Sequence, residues 1–410
     1  MSLYDKASLV QIPSGTKAGT LYSVLPANGD GDFTHTRATS ATRVNKDGLI
    51  ESVASGVPRL DYPLLDGVVQ DCPTLLLEPS RTNLLTNSET FENWTNGGTY
   101  VTSNQTVSPD GNTTADQLSK TAAFQQIQNT ATVVSGSTYS CSVFVKENTL
   151  DRITLRLASG SNDVRKCLDL SDLSISDAGG NQTGFVESKV EKYPNGWYKY
   201  TIVATSNSTS QFINIYAGNS TVAESGSIYI WGAQLELGDY PTSIIPTTTS
   251  SVTRNADECN GAGTSAEFND SEGVLFVECS LFTNSGENNY LSIGDITGTR
   301  DSVELHFRSE SNRIRGIIYS NNAVTVNIST YAVDKTNNNK IAFKYKDNDF
   351  AIWINGTEVI TSSSGAAPLK LSNAQFADAN NGNIWYGKCK QLMVFNEALT
   401  DAELQTLTSL

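Results

Sequence analysis

Histidine is almost missing from this chain of 410 residues, which carries only His35 and His306, and its six cysteines (Cys72, Cys141, Cys167, Cys259, Cys279, Cys389) form no Cys-x-x-Cys pair. A Cys/His zinc centre is thereby excluded. Charged residues are scarce at 17%, so the polar surface must come from Asn, Ser, Thr and Gly. That balance disfavours helical bundles, which need Ala, Leu, Glu and Lys, and favours many short strands joined by loops. Basic residues number 28 against 43 acidic, a net charge of −15. A surface this negative repels phosphate backbones and anionic lipid heads, so no nucleic acid is expected as a partner. No run approaches the roughly 20 apolar residues that span a bilayer, and no membrane insertion is expected. The opening Met1-Ser2-Leu3-Tyr4-Asp5-Lys6 lacks the basic and apolar regions of a secretory leader, which points to a chain made without one. No Gly-x-Ser-x-Gly elbow and no phosphate loop occur. Cysteines in apolar surroundings, Cys141 above all, are expected to be buried free thiols.

What is present is alternation. Residues 1–84 are rich in Gly, Pro and Asp turns with short apolar clusters such as Leu75-Leu76-Leu77, and read as an irregular β segment. From 85 to 246 side chains alternate with a period of two: Tyr139, Cys141, Val143 and Val145 share a face, as do Ile153, Leu155 and Leu157, and Trp197, Lys199, Thr201 and Val203 oppose Tyr198, Tyr200 and Ile202. Runs at 212–216 and 228–231 continue the pattern, as an antiparallel sandwich requires. The stretch 240–251, with Pro241 and Pro246 among Thr and Ser, has no amphipathic period and reads as a linker or crossing strand. Strands resume from 252 to 410, at 273–281, 302–308, 313–319, 324–328, 340–346, 350–354 and 384–395. Ile341, Phe343 and Tyr345 alternate with lysines, suiting a sheet with one wet face. Asn355-Gly356 signals a hairpin. Thr400 with Glu403 three residues on is a capping box that opens a short terminal helix. The fold expected is all-β: an N-terminal irregular β segment, then two antiparallel β-sandwiches, with a short C-terminal helix.

The first 95 residues carry an ordered set of motifs: Phe33-Thr34-His35-Thr36-Arg37-Ala38-Thr39, Asp47-Gly48-Leu49-Ile50-Glu51, Pro58-Arg59-Leu60-Asp61-Tyr62, Leu76-Leu77-Glu78-Pro79-Ser80-Arg81-Thr82-Asn83-Leu84-Leu85 and Phe91-Glu92-Asn93-Trp94. This resembles the N-terminal module of tailed-bacteriophage virion proteins. Ile230-Trp231-Gly232-Ala233-Gln234-Leu235-Glu236-Leu237-Gly238 resembles the closing strand of the jelly-roll, carbohydrate-binding-module-like domain of the same proteins. Lys340-Ile341-Ala342-Phe343-Lys344-Tyr345, Ala351-Ile352-Trp353-Ile354-Asn355-Gly356 and the ending from Gln391 to Leu404 are similar to concanavalin A-like, laminin-G-type domains. The resemblance implies a surface protein of the virion, whether tail fibre, appendage or capsid decoration, assembled in the host cytoplasm. Its implied partners are other virion proteins and a host-surface polysaccharide. Long appendages gain stiffness by bundling, so a homo-oligomer, often a trimer, is implied too. Residues 1–84 are the segment expected to dock onto the particle.

Sandwiches bind glycans through flat aromatic faces with amide and carboxylate neighbours. Alternation should leave either Trp197 or the pair Tyr198 and Tyr200 outside the core. Trp353 lies opposite Ile352 and Ile354, and Trp385 and Tyr386 are comparable candidates, while Trp231 is expected inside. No cofactor is required. Calcium is an optional ligand, for which Asp30 and Asp32, in Asn28-Gly29-Asp30-Gly31-Asp32, and Asp347 and Asp349 place oxygens at alternate positions; ordinary Asx turns account for the same spacing. A glycosidase would want two carboxylates across the scissile bond, and no Glu-x-Asp-x-x-Glu run occurs. Glu304, His306 and Arg308 share one strand face and could serve as an acid or base, or as a lyase site pairing a carboxylate with arginine. A solvated outer face explains them more simply. The function expected is therefore non-catalytic glycan adhesion, with pure assembly and polysaccharide depolymerisation as the two alternatives.

Overall fold

Val303, Leu305 and Phe307 alternate with Glu304, His306 and Arg308 along Ser302–Arg308, and all three apolar side chains enter one large core. The computed structural model describes residues 2–284, 288–295, 298–331 and 333–410. In it the all-β expectation holds: two antiparallel sandwiches account for most of the chain, and among the described residues the only helix of eight residues is Asp401–Thr408, capped by Thr400 and Glu403 as the capping box requires.

The central sandwich pairs a six-stranded sheet (Val101–Thr106, Ala115–Lys120, Gly226–Leu237, Thr138–Glu147, Trp197–Thr205, Phe185–Tyr193) with a five-stranded one (Ile127–Thr132, Ser210–Ala217, Arg152–Ser159, Asn162–Asp169, Ile175–Gly180). Tyr139, Cys141, Val143, Ile153, Leu155, Tyr200 and Ile202 meet between them. The C-terminal sandwich faces a five-stranded sheet (Ala323–Thr330, Arg313–Ser320, Ser302–Arg308, Asn289–Gly294, Asn373–Gln375) against an eight-stranded one.

The eight-stranded sheet changes the expected role of the first 84 residues. Leu9–Gln11 and Thr74–Leu77 both pair with Gly387–Phe395, and Arg59–Asp61 extends the sheet beyond Thr74–Leu77. Phe33–Thr36 pairs with Glu258–Asn260, and Leu9, Leu21, Phe33, Leu75 and Leu77 lie in the same core as Leu305 and Phe343. The segment expected to stand apart as a docking module is thus woven into the C-terminal sandwich. Its strands are too short to hold a sheet alone, and burying their apolar side chains needs the partner strands. The stretch 240–251 contains no strand; Ile244 and Ile245 are buried along the seam.

Outer faces expected to be wet are also covered. On the six-stranded sheet Phe144, Trp197 and Trp231 pack with Ile50 and Ile244. On the eight-stranded sheet Ala342, Ala351 and Trp353 pack with Ala7, Val10 and Leu404 under the terminal helix.

Candidate functional site

Burial overturns the aromatic platforms expected from alternation. Tyr200 and Trp385 are 0% exposed and Trp353 7%. Tyr198 and Tyr200 face the inner core and Trp197 the other side, but that side is not open, because Ile50 and Ile244 cover it and Trp197 Nε1 donates to the Val107 carbonyl at 3.1 Å. Tyr198 and Tyr386 are half-buried against the two main cores. Trp231 is buried, as expected.

The acidic pairs singled out for calcium have other work. Asp30 closes an Asx turn with Asn28, and Asp32 accepts from the Ser23 amide at 2.8 Å. Asp347 accepts from the Ala367 amide at 2.7 Å, and Asp349 pairs with Lys344 at 2.7 Å. Among the described residues no group of three His, Cys, Asp or Glu side chains is placed to hold a metal ion.

At the seam of the two sandwiches lies a buried ionic cluster built from five stretches of chain, at 35–37, 59, 78, 243 and 254–257. Asp257 accepts from His35 Nε2 at 3.2 Å, Arg37 at 2.8 Å, the Glu78 amide at 2.9 Å and Arg59. Glu78 in turn takes Arg59 and Arg254 at 2.6 Å each and the Ser243 hydroxyl at 2.7 Å. Burial alone would raise both acids, but the arginines outweigh it: Glu78 is held at about 2 and Asp257 lower still. His35 and Arg37 thus serve the structure, both pairing with Asp257. Beside the cluster opens a cleft of about 550 Å³, whose charged walls are satisfied from within: Arg43 by Glu51, Asp61 by Lys388, Lys192 by Asp66, and Lys199 by the Thr242 carbonyl. Such a self-paired wall serves cohesion between the sandwiches and leaves few groups for a ligand.

The outer face of the five-stranded sheet differs. Alternation from the core residues forces Tyr290, Glu304, His306, Arg308, Arg313 and Arg315 onto it, and register sets Tyr290 beside His306, His306 beside Arg315, and Arg315 beside Ser329. Glu304, expected on a solvated face, is fully buried. It accepts from Arg300 at 2.8 Å to each oxygen, from Ser302 at 2.7 Å and from His306 Nε2 at 2.7 Å. Burial pushes Glu304 up, yet the bonds from His306, Ser302 and Arg300 leave it below its ordinary value; burial lowers His306. With Nε2 given to Glu304, Nδ1 is left buried without a partner. The imidazole stacks on Tyr290 at 3.6 Å and 5°, and the Tyr290 hydroxyl takes Arg308 at 2.6 Å.

Above this floor the groups reach solvent. Arg315 is half-buried, and its Nε donates to Asn327 Oδ1 at 2.8 Å. Among the described residues it makes no ion pair, and its two terminal nitrogens have no protein acceptor. Burial, then the charges of Arg313 and Arg308, lowers its pKa. Arg308 and Arg313 share Glu310, at 3.0 and 2.7 Å. The Tyr331 ring is 58% exposed, with the Arg313 guanidinium 5.8 Å from its centre. Sequence reasoning passed over Arg315, Asn327 and Tyr331. Their signal was the alternation of 313–320 and 323–330, where Arg315 and Asn327 fall on the polar side; Tyr331 lies just past the end of the second strand and carries none.

Comparison with known proteins bears on this sandwich. The sequence profile described as the concanavalin A-like lectin/glucanases superfamily, of laminin-G type, matches residues 279–405. Among curated proteins none matches the chain in sequence. Solved structures overlay loosely. The carbohydrate-binding module CBM40 of the Ruminococcus gnavus IT-sialidase, bound to alpha2,3 sialyllactose, is 16% identical over 35% of this chain and 84% of that one, with a TM-score of 0.30. Domains LG4-5 of the mouse laminin alpha1 chain are 11% identical over 84% of this chain and 95% of that one, with a TM-score of 0.26. Trypanosoma rangeli sialidase is 9% identical over 72% of this chain and 60% of its own length, with a TM-score of 0.29. Superpositions this loose add nothing to the strand topology described above.

Proposed function

We propose that the chain is a glycan-binding protein that holds saccharide without chemistry, on the outer face of the C-terminal five-stranded sheet. One observation carries the reading: an exposed aromatic ring, Tyr331, lies near Arg313 and two residues past Ser329, the strand partner of Arg315, whose terminal nitrogens have no protein acceptor among the described residues and whose Nε holds the exposed amide of Asn327. A sugar ring stacks on Tyr331 while its hydroxyls meet Arg315 and Asn327. The lectin/glucanase profile over 279–405 supports it. A virion surface role, with other virion proteins as partners, host polysaccharide as target and a homo-oligomeric state, rests on the resemblance of the first 95 residues and of residues 230–238 to tailed-bacteriophage virion proteins.

Cleavage is the second reading, favoured by the Glu304–His306 pair, in which a carboxylate orients an imidazole whose other nitrogen is bare. That nitrogen is sealed from solvent, as is Glu304, so neither meets a substrate lying on the face. A glycan array probed with the full chain, followed by product analysis of each bound saccharide, separates the readings. Retention without products, lost in Tyr331→Ala, is the expected result; released fragments, or binding untouched by the substitution, would overturn it.

A further inference from the structure

Resting on that reading, we infer that the saccharide is acidic, and that Arg315 receives its carboxylate or sulfate. The argument begins with charge. The chain carries −15 overall, so a polyanion is repelled nearly everywhere on its surface. On this face, among the described residues, four arginines, Arg300, Arg308, Arg313 and Arg315, meet two carboxylates, Glu304 and Glu310. Glu304 is consumed by Arg300, Ser302 and His306, and Glu310 by Arg308 and Arg313. Arg315 is left with one neutral amide.

A guanidinium in this position is costly to hold. It has lost part of its water and sits among like charges, and the carboxylate near it, Glu310, is already bonded to Arg308 and Arg313. An anion of matching shape relieves both penalties. The planar fork of a guanidinium takes a carboxylate or sulfate edge through two parallel hydrogen bonds. Tyr331 supplies the flat surface two residues past Ser329, which lies opposite Arg315. A sugar ring on Tyr331 that carries an acid group therefore meets Arg315 at its rim.

The test uses the full chain and immobilised fragments of polygalacturonate and polyguluronate, each beside the same polymer with its carboxyls reduced to hydroxymethyl groups, and fragments of sulfated carrageenan. Binding to the acidic fragments should fall by about tenfold or more on carboxyl reduction and in Arg315→Gln, as loss of a charge-assisted hydrogen bond predicts. It should weaken as salt rises. Arg152→Gln, at an exposed arginine of the central sandwich, should leave binding unchanged. Binding to carrageenan alone keeps the acidic ligand and identifies sulfate as the group received. Equal binding of acidic and reduced fragments overturns the inference while the glycan reading stands; no binding to any saccharide overturns both. The reduced-fragment comparison needs no variant, so misfolding of Arg315→Gln cannot mask the outcome.

Discussion

Replacing Asp257 by asparagine removes the charge that ties the seam of the molecule together. The carboxylate is fully buried and accepts four hydrogen bonds, from His35, Arg37, Arg59 and the Glu78 amide. Asparagine keeps one acceptor oxygen and turns an NH2 toward donors, so two of those bonds are lost. It also leaves Arg37, Arg59 and Arg254 facing Glu78 alone. Breaking a buried pair from one side costs about 3–5 kcal/mol, because the partner charge stays buried. The domain affected comprises residues 1–84 and 252–410, a size at which each kcal/mol shifts the midpoint by about 2–4 °C. Asp257→Asn should therefore melt roughly 6–20 °C earlier in a calorimetric scan, with the loss in the transition of that domain. Glu272→Gln, which breaks a half-exposed pair with Lys346 at 2.8 Å, should cost no more than about 1 kcal/mol. A loss below about 1 kcal/mol for Asp257→Asn, or one equal to that of Glu272→Gln, would refute the assignment of the cluster as the joint.

Acid should act through the same groups. Glu78 sits at about 2 against its ordinary 4.5, and Asp257 is lowered as well, so their stabilisation is complete above about pH 4.5 and is lost as the pH falls toward 2. Burial raises Glu89 to about 7 and Asp116 to about 6, which has the opposite sign: stability drains as the pH climbs from about 4 to 7, because the folded state resists their ionisation. Urea midpoints measured against pH should peak between about 4.5 and 6; a plateau extending unchanged from pH 5 to 8 would contradict this. Trp385 packs wholly inside, between Phe307 and Phe376, so Trp385→Ala should cost about 3–5 kcal/mol in urea unfolding, whereas Tyr331→Ala should stay within about 0.5 kcal/mol. Native stability of Trp385→Ala would mean the indole is not a core residue.

Alternation made most strands legible, since a period of two is a property of the chain itself: 302–308, 350–354 and the capped terminal helix lie where the pattern puts them. It says nothing about what lies across an outer face. Trp353 does oppose Ile352 and Ile354, but the terminal helix and the first turn of the chain cover it, and both are remote in sequence. Trp197 is hidden by the same kind of remote partner, Ile50 and Ile244. The polar face that remains open was half visible: Glu304, His306 and Arg308 were read from one strand, while Arg315 and Asn327 needed the register of two more. Short strands such as Arg59–Asp61 were not legible at all, because three residues carry no period and pair only once the distant Thr74–Leu77 is in place.

The register at the seam makes a stronger claim about how the chain is divided. Arg81–Asn83 leaves the C-terminal sandwich and Val252–Arg254 returns to it, and the two strands pair antiparallel, Arg81 with Arg254 and Asn83 with Val252. Partners in an antiparallel pair lie about 4.5–5.5 Å apart, so a loop of about two to five residues can join 84 to 251 as in a hairpin. The central sandwich, with its own core, then behaves as an insertion at that turn. A chain of 1–84 joined to 252–410 through such a loop should fold, with a cost at the seam because Thr242 and Ser243 no longer help Arg254 and Glu78. It should keep whatever saccharide binding the intact protein shows. Residues 252–410 alone should not fold, since they lack the strands at Leu9–Gln11 and Thr74–Leu77 that flank Gly387–Phe395 and the five core side chains Leu9, Leu21, Phe33, Leu75 and Leu77. Circular dichroism and hydrogen exchange on the two chains decide the matter: a cooperative transition in 252–410 by itself would show that the first 84 residues are an attachment after all, and the interwoven domain would have to be given up.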